Sequence, residues 1–548
     1  MPRARSPLSS SLPSSLTSVL PSVLPSFSDL RSMTRAPRRD LLCGLTVAVV
    51  ALPLALGFGV SSGLGAAAGL TTAIVAGALA ALCGGSARQV SGPTGAMTVV
   101  LVPIVHHYGA GGVLTVGLLA GVLLLGLAFA HAGAAMAYVP APVIAGFTIG
   151  IACVIALQQV PNALGVPLPH GEQVVVIAAR AAREFGAVPH WPALLLAGGC
   201  AVLMLAGARW KPAVPFSLAA VATATLAAEA LHLPVARLGT VPATLPTPSL
   251  AFFDVSRVPS LLAPAAAVAA LAALESLLSA SVADGMRPGE RHNPSKELFG
   301  QGIANLAAPL FGGVPATGAI ARTAVNVRTG AASRLAALTH AVVLAGIVAV
   351  AAPWVARIPL PALAGVLLAT AIRMVDSEAV RAMARATHGD ALVLALTATA
   401  TLALDLVRAV LLGLGVSVLL ALRAAVRGTR LTPAASDELP GTGSPTVTYR
   451  FDGPLLFAAA HRFREGLSQV NGVATVDLRL SGVTAMDATG ALALKDAVDT
   501  LHDRGIEVHL TEVAPAHRRT LESLGVLPAP TPAPDKGVVP SAAGAPAP

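Results

Sequence analysis

Gly92-Pro-Thr-Gly-Ala-Met97 and Val314-Pro-Ala-Thr-Gly-Ala-Ile320 decide the reading of this chain. Each carries a proline, then Thr-Gly-Ala, then a short apolar run. On either side lie longer apolar runs, starting near Asp40, Gly69, Gly112, Val139, Pro192, Pro212, Pro259, Leu298, Leu335, Pro359, Asp390 and Leu406. A helix needs about 20 apolar residues to cross a bilayer, and these runs have them. With the short segments near Thr94 and Thr317 there are fourteen elements, and the short ones are third and tenth. The chain therefore reads as two seven-helix halves, each with a broken third helix. Seven is odd, so the halves are inverted relative to each other. Corresponding interrupted segments point to the binding site of a transporter.

Composition agrees with that reading. Of 548 residues, 55% are hydrophobic and only 11% are charged. Soluble domains average roughly a quarter charged residues, so an ordinary soluble enzyme is excluded, and so is disorder over most of the length. Residues 40–426 hold 19 Lys/Arg and 13 Asp/Glu, so the charge collects at the two ends. The net charge of +9 does not indicate nucleic acid, because the basic residues sit between apolar spans and form no single patch. Counting loops from a cytoplasmic N-terminus puts 18 basic residues inside and six outside. That bias predicts both termini in the cytoplasm and a multi-pass protein of the plasma membrane. Cys43, Cys83, Cys153 and Cys200 lie apart in apolar stretches. They show no metal-binding spacing, and no cofactor is expected.

A half-helix that starts in mid-membrane exposes unpaired N–H groups and a positive dipole end. Two such ends facing each other cradle an anion. The candidate substrate-binding residues are Thr94, Gly95 and Ala96, then Thr317, Gly318 and Ala319. The glycines would leave backbone open to a ligand, and the threonines would cap the helices or donate a hydroxyl. Arg322 lies one turn into the second short helix, where a charge is costly and marks function. Glu275 and Ser279 are four apart, so they share a helical face and are candidates for the coupling ion. A carboxyl there can carry a proton or bind sodium; a fixed ion pair with Arg322 is the alternative. No nucleophile–base pair suggests an enzyme.

Residues 1–36, rich in Ser, Pro and Leu, read as a disordered cytoplasmic tail, and 37–430 as the membrane domain. The segment Glu172–Phe185 is amphipathic and reads as a surface helix. A polar linker follows at 431–445, a small α/β domain at 446–527, and a disordered Pro/Ala-rich tail at 528–548. In the α/β domain, strands are expected at Val447–Phe451, Ala474–Leu480 and Ile506–Leu510. Helices are expected at Ala458–Val470, Thr489–Asp503 and Pro515–Leu524.

The chain resembles the SulP family of anion transporters, the sulfate permeases, over about Asp40 to Val526. The marks are Ala51-Leu-Pro-Leu-Ala-Leu-Gly-Phe-Gly59, Gly85-Ser-Ala-Arg-Gln-Val-Ser-Gly-Pro-Thr-Gly95 and Gly239-Thr-Val-Pro242. Further marks are Val282-Ala-Asp-Gly285, Gly300-Gln-Gly-Ile-Ala-Asn305 and the run from Phe311 to Thr323. The resemblance implies core and gate domains in elevator-like motion, an anion between helices three and ten, and often a homodimer. It implies that Arg322 helps set the anion field. Glu275 and Ser279 match the positions where the cyanobacterial sodium-bicarbonate member holds sodium with an acid and a hydroxyl. Glutamate is longer than the aspartate used there, so a proton is as plausible a coupling ion as sodium. Many relatives have Gln where this chain has Leu54, which removes one polar substrate contact. The C-terminal segment resembles STAS domains through Val476-Asp-Leu-Arg-Leu-Ser-Gly482 and Met486-Asp-Ala-Thr-Gly490. Its loop residues are Asp487, Ala488 and Thr489. Ala488 stands where the antagonists carry a phosphorylated serine, and a cytoplasmic regulator is the expected partner. Sulfate or bicarbonate, then a dicarboxylate, are the expected substrates. An anion channel or sensor and a nucleobase–cation symporter are the alternatives. Nucleobase symporters usually place an acid in the tenth helix, where this chain has Arg322.

Overall fold

The computed structural model describes residues 23–24, 31–34, 36–134, 139–167, 173–210, 216–287, 291–404, 406–434, 446–456, 467, 470 and 473–527. The expected N-terminal tail lies mostly outside them and the C-terminal tail wholly so. The chain divides into two compact units, Met1–Gly415 and Val416–Pro548.

The first half of the membrane region holds α1 (Pro37–Ser61), α2 (Ala66–Cys83), α3 (Gly95–Phe129), α4 (Ala141–Leu164), the surface helix α5 (Val174–Ala187), α6 (Trp191–Trp210) and α7 (Phe216–Ala230). The second half holds α8 (Val258–Met286), α9 (Pro294–Leu310), α10 (Ile320–Arg328), α11 (Leu335–Val355), α12 (Leu360–Met374), α13 (Ser377–Ala386), α14 (His388–Ala403) and α15 (Leu406–Gly428). Among the described residues, nine spans are long and apolar enough to cross a membrane, and α7 and α14 are shorter apolar helices. α3 is two segments in sequence: Gly109 breaks it with φ 69° and ψ −174°. The short segment expected near Thr94 therefore continues past Gly109 into the run expected from Gly112. Counting that break, and leaving aside the amphipathic α5 and α13, the two halves correspond element for element, seven against seven.

Packing sorts the helices into two groups. α3 packs on α8 and α9, α11 on α1 and α2, and α2 on α9; α10 lies against α8 and α1. In the second group α4 packs on α12, α14 and α6, and α6 on α7. Alanine and glycine line these contacts, which lets helix backbones approach closely. α5 buries Ile177, Ala178 and Ala181 and leaves its arginines exposed, as its amphipathic pattern predicts.

At the centre of the first group two extended segments meet. β1 (Ser91–Gly92) and β2 (Thr317–Gly318) pair antiparallel, Ser91 opposite Gly318 and Gly92 opposite Thr317. The register is off-centre, pairing residues before Pro93 with residues after Pro315. The consequence corrects the expected boundary: the second short helix begins at Ile320, and Thr317 sits in the ladder. A stripe on α9, at helical spacing of four, holds both approaches to the ladder. Glu297 accepts from the Gly85 and Ser86 amides (2.9 and 3.0 Å) and from Gln89 Nε2 (2.9 Å). Gln301 donates to Ser91 Oγ at 2.7 Å. Asn305 accepts from the Ala316 amide (2.8 Å) and donates to the Ala316 carbonyl (2.9 Å).

In the second unit, β3 (Arg430–Ala434), β4 (Thr446–Leu455), β5 (Thr475–Met486) and β6 (Glu507–Thr511) form one sheet in that order, with α16 (Ala488–Asp503) and α17 (Pro515–Ser523). β3 runs antiparallel to β4; the other pairs are parallel. Alternate β5 residues Val476, Leu478 and Leu480 enter the apolar core with Leu494 and Leu501 of α16. Residues 431–434, read as the start of a linker, are strand because they pair with 448–451. The helix expected at Ala458–Val470 lies almost wholly outside the described residues.

Candidate functional site

The site is built where α8 meets the β1–β2 crossing. Ala272, Glu275, Ser276 and Ser279 occupy one face of α8, at spacings of three and four. Thr94, the N-cap of α3, donates its hydroxyl to Glu275 Oε2 at 2.8 Å and accepts from the Met97 amide at 3.4 Å. Ser276 Oγ lies 3.0 Å from Thr317 Oγ1 and accepts from the Gly318 amide at 2.9 Å. Ser279 donates to Thr323 Oγ1 at 2.9 Å, and Thr323 in turn accepts from the Val90 amide at 3.0 Å. Glu275 and Ser279 thus point to different neighbours, one to the start of α3 and the other into α10.

Arg322 is 1% exposed. Its Nη2 donates to the Pro93 carbonyl, whereas its Nη1 has no hydrogen-bond partner among the described residues. No ion-pair contact within 4.0 Å joins Arg322 to Glu275, although each charge acts on the other. The guanidinium therefore keeps a donor free beside a carboxylate it does not clasp. Gly92 makes room for it: a Cβ there would lie 2.7 Å from Nη1, and its φ of 153° is one that side-chain-bearing residues rarely take.

The helix starts share the remaining donors unequally. The Gly318 amide goes to Ser276, and the Ala319 amide to the Val90 carbonyl at 2.9 Å. Among the described residues, nothing accepts from the Gly95 and Ala96 amides opening α3, or from the Ile320 and Ala321 amides opening α10. Four backbone donors and one guanidinium nitrogen remain for a ligand, a set suited to an anion. Gly95 and Gly318 also admit protein: a Cβ would stand 2.1 Å from Ile155 Cδ1 at the first and 2.0 Å from Gln89 Nε2 at the second. Thr94 caps its helix, as its position suggests; Thr317 does not, because the ladder holds it.

Ser276, the two α10 amides and His340 are not among the residues that sequence reasoning selects. Ser276 carried a signal, since it sits on the face defined by Glu275 and Ser279. The amides carried none, because their freedom depends on tertiary partners. His340 carries no such signal, being a single histidine in an apolar run. Among the described residues, no group of three or more His, Cys, Asp and Glu could hold a metal ion. In the C-terminal unit, Asp487 caps α16 by accepting from the Gly490 amide at 2.7 Å, which leaves Ala488 and Thr489 exposed at the helix start.

Residues 38–397 match the sulfate permease family, and 438–535 match the STAS domain. The Bacillus subtilis (strain 168) protein YvdB is 36% identical, over 78% of this chain and 82% of its own. The bicarbonate transporter BicA of a Picosynechococcus species is 30% identical, over 89% of this chain and 90% of its own. A solved transmembrane domain of a cyanobacterial BicA is 31% identical, covers 70% of this chain and 98% of its own, and superimposes with a TM-score of 0.61. The murine solute carrier 26 member A9 anion transporter, solved inward-facing, shares the fold at 17% identity. Its TM-score is 0.82, with 95% of this chain and 92% of that one covered.

Proposed function

Because the chain belongs to the sulfate permease family, a family of multi-pass membrane transporters, we propose that it carries a small oxyanion through the site between the starts of α3 and α10. The observation that carries this reading is the buried guanidinium of Arg322 with its free Nη1, beside the unpaired amides of Gly95, Ala96, Ile320 and Ala321. Thr94, Thr317, Gly318 and Ala319 shape the cradle, and Arg322 supplies its charge. Sulfate and bicarbonate are the first substrates, by the family's name and BicA's; a dicarboxylate is next.

Transport is driven by a coupled proton or sodium ion at Glu275, with Ser279 supporting α10 through Thr323. The group holding the site slides against the group of α4, α6, α7, α12 and α14 in an elevator-like motion. The protein works in the plasma membrane as a homodimer with both termini cytoplasmic. Its STAS domain meets a cytoplasmic regulator at Asp487, Ala488 and Thr489. The test is uptake of labelled sulfate, bicarbonate and succinate into liposomes bearing the full chain, under imposed sodium or proton gradients. Arg322→Ala should abolish uptake of the carried anion without loss of folded protein; undiminished uptake by that variant would remove the site assignment.

A further inference from the structure

His340 is fully buried in α11, and neither ring nitrogen has a hydrogen-bond partner among the described residues. The ring leans toward the Ala337 carbonyl, one turn earlier, without hydrogen-bond geometry. Buried polar nitrogen without a partner is destabilising, so a histidine here calls for a physical reason. Its surroundings supply one. Gly77 of α2 faces it, and a Cβ there would stand 3.8 Å from the ring's Cε1 and 3.2 Å from the Ser91 carbonyl oxygen. Ser91 precedes Gly92, against which Arg322 Nη1 rests. The ring and the guanidinium thus lie near successive residues of β1, Ser91 and Gly92, and the charge of Arg322 acts on the imidazole.

We propose that His340 is a proton-binding residue of the transport cycle, taking up a proton when an anion lies beside Arg322. This rests on the anion site described above. Two cations in one apolar enclosure repel, and an anion between or beside them offsets that repulsion. Anion binding therefore favours the imidazolium, and by linkage acid favours anion binding to the same degree. Among the described residues, the other charged groups around α11 are engaged or exposed: Arg334, the buried N-cap of α11, donates to the Ala81 and Gly84 carbonyls. On α1, Arg38 and Arg39 are exposed, and Asp40, one turn before the Gly44 that packs against Thr339, accepts from Ser333 Oγ at 2.5 Å and from the Ala332 amide at 2.7 Å. The thiol Cys43, also on α1, bonds the Thr329 carbonyl. α2 has Cys83 alone, at its last residue. On α10 the other cation, Arg328, is exposed at the helix end. Glu275 of α8 is held by Thr94, and Glu297 of α9 by four donors. Arg322 is the charge that acts on His340.

Labelled sulfate is the probe, because it stays dianionic across pH 6 to 8. Full-length protein in liposomes, with both sides clamped at equal pH, gives the apparent KM at each pH. The wild type should show a KM about tenfold lower at pH 6 than at pH 8. H340Q should hold the wild type's alkaline KM at every pH, within about twofold. E275Q separates the two titratable groups: whatever pH response a proton at Glu275 adds is absent there, so E275Q should keep an acid response that E275Q/H340Q lacks. The inference is overturned if H340Q keeps the wild-type pH response, or if the wild type shows none. Normal uptake by R322A, or no uptake of sulfate, bicarbonate or succinate by the wild type, would instead overturn the anion site and this inference with it; where bicarbonate or succinate is carried in place of sulfate, the same KM comparison is made on the concentration of that anion. Should H340Q not fold, H340N is read by the rise in melting temperature that sulfate confers in detergent at pH 6 and pH 8. A rise that grows in acid for the wild type alone supports the inference, and an equal growth in H340N overturns it.

Discussion

At the scale of single residues, the site depends on donors that no acceptor among the described residues takes. Gly92→Ala tests how closely the guanidinium is seated. The new methyl would press on Nη1, and the backbone would also have to leave its φ of 153°. Uptake should persist with an apparent KM raised roughly tenfold, a loss of about 1.4 kcal/mol of anion binding. Glu275→Gln keeps the shape of the Thr94 contact and removes the charge. Uptake by that variant should lose its dependence on the driving cation, read as equal initial rates with and without the imposed gradient. The sequence shows Arg322 and Glu275 plainly, because a charge in an apolar helix stands out. It does not show that Ile320 and Ala321 offer the free amides in place of Gly318 and Ala319. That exchange comes from Ser276 and Val90, which reach β2 from other segments.

At the scale of elements, α9 works as a rack. Its Glu297, Gln301 and Asn305 hold the two segments that cross, so the ladder is held by a helix that is not part of the candidate site. Asn305→Leu is close to isosteric and would leave both polar groups of Ala316 unpaired, at about 1–3 kcal/mol each. The variant should melt several degrees lower in detergent, and added sulfate should restore only part of the loss. The element boundaries explain the rest of the gap between pattern and structure. α3 runs through Gly109 because a glycine can turn the chain there without ending the helical run. α10 starts late because its first residues are drawn into strand. Neither event leaves a mark in hydrophobic periodicity, which sees only apolar spacing.

For the whole molecule, the alternation of apolar runs and basic loops carried most of the fold, since a bilayer constrains a chain more tightly than water does. The orientation argued from those loops is directly testable. Cys43, Cys83, Cys153 and Cys200 are free and buried or half-buried, so they give little background to a thiol reagent. Ser249→Cys, exposed between α7 and α8, should react with an impermeant maleimide on intact cells. Ser377→Cys, exposed at the start of α13, should react only after permeabilisation; the opposite pattern would invert the topology.

The crossing of β1 and β2 also bears on descent by duplication. When Thr94 is laid on Thr317, Arg322 falls on Val99. A newly doubled gene would have carried two arginines at these places or none. Two would repel each other within one enclosure, and none would leave the cradle without its cation. If the halves arose by doubling, the single arginine is a specialisation later than it, as is the parting of the threonines into cap and ladder. The halves have become non-interchangeable, so a chimera with residues 315–322 copied over 92–99 should insert in the membrane and carry nothing.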